Sequence, residues 1–158
     1  MRHALKTGFS FGLTSGIITT LGLMVGLNAG THSRRVVIGG VLTIAIADAF
    51  SDALGIHVSE ESESIHTHFQ IWAATFFTFL SKFIFSLTFV VPIVLFQLNT
   101  AIIVSLIWGF FLLCIFSFYL AREQKVNPLG IIGEHLFTAV IVIALTYYVG
   151  SWIAVKFN

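Results

Sequence analysis

The chain has 158 residues, of which 57% are hydrophobic and only 9% charged, and its mean hydropathy is +0.98. A soluble domain carries about 25% charged residues, so this composition excludes a water-soluble fold and points to an all-α integral membrane protein. The net charge of +1 says nothing about partners; with no basic patch or RNA-binding motif no nucleic-acid partner is expected, and the lone Cys114 excludes an intrachain disulfide.

A spanning helix needs roughly 20 mostly apolar residues. Five stretches meet that requirement: 6–29, 36–57, 71–96, 100–120 and 129–155. Their connections are short, so residues 1–158 are expected to form one transmembrane domain. The start, MRHALKTGFSFG, is followed by no small-residue cleavage site and reads as the opening of the first span. Arg2, Lys6, Arg122 and Lys125 fall on one side of the bilayer, and Arg34, Arg35 and Lys156 on the other. This bias favours a cytoplasmic N-terminus and an outer C-terminus. With no organelle-targeting segment, a prokaryotic plasma membrane is expected.

The first span repeats glycine every four residues, at Gly8, Gly12 and Gly16 and again at Gly22 and Gly26. Small residues at this spacing let helices approach closely in lipid. Two uses are open for them: packing within one chain, or a homodimer seam along Gly8, Gly12 and Gly16.

The second span carries Asp48 and Asp52. Residues four apart share a helix face, and a carboxylate inside a membrane helix is costly enough to demand a reason. The span runs on through His57 into an acidic segment with Glu60, Glu61, Glu63, His66 and His68, which reads as a cytoplasmic metal entry. The third span holds Lys82 and, near its outer end, Pro92; a weak break at 97–100 separates it from the fourth. The fourth is nearly featureless and is expected to face lipid. The fifth carries Glu134 and His135, with Tyr147, Tyr148 and Trp152 at its far end suiting an interfacial belt.

Counting about 1.5 Å per helical residue from the inner ends suggests two levels. Asp48, Lys82 and Ser15 fall roughly 13–16 Å deep, and Asp52, Glu134 and His135 roughly 8–10 Å deep. Lys82 is thus a possible charge partner for Asp48. Carboxylates, imidazoles and hydroxyls together suit a divalent first-row cation. A close acid pair also binds protons. No nucleophile–base pair or phosphate loop is visible, so an enzyme is not expected, and neither is a bound cofactor apart from the transported metal. A second reading takes Asp48–Lys82 as a structural ion pair in a non-transporting assembly partner or metal sensor.

The chain resembles the vacuolar iron transporter family, which is also found in bacteria and archaea. The resemblance lies in GLTSGIITTLGLMVGL of the first span, SDALGIHVSEESE of the second, the Ala-Ala start and late proline of the third, and GIIGEHLFTAVIVIALTYYVG of the fifth. It implies a five-helix homodimer that exports Fe(II) or Mn(II) from the cytoplasm in exchange for protons. The chain also departs from the family pattern. The family's first-helix Asn-Asp-Gly corresponds to Thr14, Ser15 and Gly16, so its aspartate is missing. The family methionine of the second helix falls on Asp52, replacing a soft ligand with a hard one. Its Glu-Tyr falls on Ile56 and His57. Only residues 59–70 stand where many members have a cytoplasmic metal-binding domain, and Asp48 and Lys82 lie outside the pattern.

Overall fold

The computed structural model describes residues 2–63 and 65–157, with residues 2 and 3 described by their backbone alone. Among the described residues six helices follow one another: α1 (Arg2–Thr31), α2 (Arg34–Ser62), α3 (His68–Thr88), α4 (Val90–Leu95), α5 (Leu98–Gln124) and α6 (Pro128–Phe157). Taking α3 and α4 as one membrane segment, five stretches are long and apolar enough to cross a bilayer. They correspond to the five expected spans, and most run several residues further at one or both ends.

The interruption between α3 and α4 follows from Pro92. It has no N–H to offer the carbonyl four residues back, and its ring crowds that position. The chain tightens at Phe89, whose N–H donates to the Ser86 carbonyl at 3.2 Å. Among the described residues, two that are not glycine adopt left-handed backbone and end helices: His32 (φ 48°) after α1 and Lys125 (φ 57°) after α5. At Lys125 the N–H groups of residues 125 and 126 return to the carbonyls of Arg122 and Ala121, closing the helix end.

α1 is the central post, packed against α2, α3, α5 and α6. Half of its span is buried, against almost none of α6. Two glycine combs explain how this much chain fits around it. Gly8, Gly12 and Gly16 face Ala74, Thr78 and Lys82 of α3, with Thr20 continuing the register onto Ser86. Gly22, Gly26 and Gly30 face Val142, Thr146 and Gly150 of α6. Each pairing keeps a constant offset, so α3 and α6 run parallel to α1 with backbones in near contact. A Cβ on Gly16 would lie 3.2 Å from the Lys82 Cα. The Gly8–Gly12–Gly16 face is therefore filled by α3 of the same chain, which is the intrachain use of these glycines.

The fourth span, α5, departs from the lipid-facing expectation. It buries Ser105, Gly109, Leu113 and Ser117, and Gly109 sits against Leu21 and Ile17 of α1. α6 is the more exposed helix. Its outer surface shows Phe137, Leu145, Tyr148 and Trp152, the apolar and aromatic cover that a lipid-facing helix needs.

Candidate cation site

On α2, Val37, Val41, Ala45, Ala49 and Ala53 form the buried stripe. Asp48 and Asp52 flank that stripe, one turn apart on its edge, which sets both carboxylates beside the α1–α3 seam. Lys82 comes to the same point from α3. Its side chain is only 1% exposed, while those of Asp48 and Asp52 are 29% and 20% exposed. Lys82 Nζ lies 2.5 Å from Asp48 Oδ2 and also pairs with Asp52 Oδ2. It also donates a hydrogen bond, 2.8 Å long, to Ser15 Oγ of α1, and that hydroxyl donates to Asp52 Oδ2 at 2.6 Å. Three helices thus supply one hydrogen-bonded cluster within the apolar layer.

This geometry corrects the two-level expectation. Lys82 does not stop at Asp48, because its four-carbon stem lets one ammonium span both acids a helical turn apart. Asp52 shares its surroundings with Ser15 and Lys82 rather than with Glu134 and His135. The reason is topological: α2 packs on α1, α3 and α4, whereas α6 packs on α1 and α5. Glu134 is exposed on α6, and His135 Nδ1 is 2.7 Å from Ser117 Oγ of α5. Neither joins the acids of α2.

The acidic segment also differs from an open collecting loop. α2 continues through Ser62, so Glu60 and Glu61 belong to its last turn. Glu60 is buried, with its Oε2 3.0 Å from His66 Nδ1, and Glu63 approaches the same nitrogen at 3.8 Å. Glu61 and His68 are exposed, and α3 begins on a capping box between Thr67 and Gln70. Among the described residues, no group of three or more His, Cys, Asp or Glu is disposed to hold a metal ion. The segment is a short, tied connection, with Glu60 and His66 turned to each other. His57 faces the opposite side of α2 from Asp48. Its Nδ1 is 2.9 Å from Thr75 Oγ1, and its ring meets Trp72 edge-on beside an aromatic groove of about 750 Å³ lined by Phe50, Phe76 and Phe79.

The cluster is not sealed. A second groove, about 490 Å³, runs between α1 and α2 and is lined by Leu23, Leu27, Gly40, Thr43, Ala47 and Asp48. It brings open space to one carboxylate from the α1–α2 side. Around the cluster the seam is polar but closed. Ser81 donates to the Phe77 carbonyl at 2.6 Å, and Thr20 donates to Ser86 Oγ at 3.0 Å. The supporting roles of Ser81, Ser86 and Thr20 were missed in the sequence reading. The signal was present: Ala74, Thr78, Lys82 and Ser86 recur every four residues, matching the comb on α1.

Two carboxylates and a hydroxyl form an oxygen-rich cradle for positive charge, with the Lys82 ammonium held against them. Hard oxygen ligands of this kind suit divalent cations such as Mn(II). In comparison with known proteins, residues 9–71 match the model of the VIT family. That stretch covers Ser15, Asp48 and Asp52 and ends before Lys82. No curated protein and no solved structure gives a match.

Proposed function

We propose that this chain, a VIT family member by its residues 9–71, carries divalent first-row metal ions through the Asp48–Asp52–Ser15 cluster. Metal-ion transport in general is what the family indicates. The finer reading is Mn(II) or Fe(II) efflux from the cytoplasm in exchange for protons. The observation that carries it is the convergence of Asp48 and Asp52 on Lys82 among membrane-spanning helices, with Ser15 hydrogen-bonded to Asp52 and a groove reaching Asp48. Ser15 stands where the resembling family keeps an aspartate, and Asp52 stands where it keeps a methionine. A carboxylate moved from the first helix to the second keeps negative charge at the same junction. With oxygen as the only donor type in the cluster, Mn(II) fits better than a soft, thioether-seeking ion.

In this reading the protein lies in a prokaryotic plasma membrane as a homodimer, N-terminus in the cytoplasm and C-terminus outside. An odd number of spans supports opposite sides for the termini, and the Lys/Arg bias supports the direction. The Lys6–Glu123 ion pair joins the start of α1 to the end of α5, the end of the bundle assigned to the cytoplasm. The metal itself is substrate. The carboxylates bind it in turn with protons, and Glu134 and His135 lie outside this step.

One observation favours a second reading. Lys82 contacts Asp48 directly, as a structural ion pair in a non-transporting assembly partner or metal sensor would require. The groove at Asp48 weighs against it, since a purely structural pair has no use for access. Flux decides between the two. Purified protein in liposomes, with a pH gradient imposed, is expected to move Mn(II) or Fe(II), and Asp52→Ala is expected to abolish the movement. Equal flux through Asp52→Ala would remove Asp52 from the pathway, and no flux in the unaltered protein would favour the structural pair.

A further inference from the structure

We propose that the Lys82 ammonium is the resident cation of the Asp48–Asp52 site, a tethered occupant that an incoming metal displaces and that keeps monovalent cations out. The inference rests on the reading of that cluster as the transport site.

An ammonium has three N–H donors and no acceptor. Two of them donate to Asp52 Oδ2 and Ser15 Oγ, and Asp48 Oδ2 lies within ion-pair distance of the same nitrogen. These are the oxygens a small metal ion would take at the same point, so Lys82 fills the cradle from within the protein. Its stem is wholly buried against Gly16, where a Cβ would come within 3.2 Å of the Lys82 Cα, Cγ and carbonyl oxygen. The α1 glycine comb therefore places the ammonium as well as packing the helices.

Charge arithmetic then decides what can enter. Two carboxylates and one ammonium leave a net charge of −1 in the cluster. A free monovalent cation exchanging for Lys82 gains no charge over the group it replaces. It also competes with a tethered ion whose effective concentration is of the order of mM or more. A divalent ion offers twice the charge at a shorter reach and draws both carboxylates more strongly than the ammonium does. A lysine, being a compact point charge on a flexible stem, can withdraw. Arginine, planar and bidentate toward carboxylates, would hold them more firmly.

The test is Mn(II) binding to the purified full-length protein in detergent, read by electron paramagnetic resonance, with and without excess Na⁺. Lys82→Met keeps the length of the stem and removes the charge. It is expected to bind Mn(II) at least about tenfold more tightly than the unaltered protein, and Na⁺ is expected to compete in the variant alone. Lys82→Arg, which preserves the charge if the methionine variant fails to fold, is expected to bind Mn(II) more weakly. Lys82→Met binding no tighter than the unaltered protein, or Lys82→Arg binding as well or better, would overturn the proposal. If the unaltered protein moves Mn(II) in liposomes and Lys82→Met binds no tighter, the transport reading survives and the resident-cation reading fails. If Lys82→Met binds Mn(II) tightly while the unaltered protein moves none, the transport reading fails and displacement during transport fails with it, leaving Lys82 as the occupant of a cation site that does not transport.

Discussion

Ser15 and Asp52 lie 37 residues apart in the chain and 2.6 Å apart in the fold, with the serine hydroxyl donating to the carboxylate. The same hydroxyl accepts from Lys82, so it relays between opposite charges on two different helices. A hydrogen bond to a charged group contributes about 1.5–3 kcal/mol. Ser15→Ala is therefore expected to lower stability in detergent by about that amount. Loss of a group that orients a ligand costs tenfold or more, so Mn(II) uptake is expected to fall roughly tenfold. Unfolding by SDS titration and vesicle uptake measure the two effects. An alanine variant with unaltered uptake would show that the hydroxyl does not orient Asp52.

The charges of Lys82, Asp48 and Asp52 should behave as a unit. Asp48→Asn or Asp52→Asn alone leaves the ammonium one carboxylate, and each is expected to cost little. The double variant strands a buried cation and is expected to cost about 3–5 kcal/mol, more than the sum of the two. Adding Lys82→Met to the double variant should recover most of that loss. Unfolding of these four variants and the unaltered protein in the same detergent provides the comparison, and additive losses would argue against a shared ammonium.

The two kinds of glycine should respond oppositely to alanine. Gly12 and Gly16 lie against the α3 backbone and Lys82, so a methyl group there forces the helices apart at a cost of about 1–3 kcal/mol. Gly39 and Gly55 of α2 have open space where a Cβ would stand. Their alanine variants are expected to be neutral or stabilised by up to about 1 kcal/mol through helix propensity. Thermal melting in micelles distinguishes the two groups. Equal effects at Gly16 and Gly55 would contradict the close α1–α3 seam.

His66 holds the α2–α3 connection through buried Glu60. Replacing it with alanine is expected to raise amide hydrogen exchange over the end of α2 roughly tenfold, as local opening becomes easier. Mn(II) uptake is expected to change far less than in Ser15→Ala. A collapse of uptake with unchanged exchange would instead assign His66 a direct part in metal entry.

The sequence by itself determined the membrane class, the five spans and the two carboxylates on one face of α2. These follow from local quantities: apolar length against bilayer thickness, and the helical repeat that aligns residues four apart. It also exposed the glycine spacing, while leaving open whether those glycines served one chain or two. Tertiary structure decided what faced them. It set the α3 comb against Gly8, Gly12 and Gly16, and α6 against Gly22 and Gly26. It also decided the partners of Lys82. Depth along separate helices placed Lys82 with Asp48 alone and Asp52 with Glu134, because depth carries no information about which helices are neighbours. Packing α2 and α6 on different sides of α1 keeps Glu134 and His135 away from the acids, and a long lysine stem reaches both carboxylates at once.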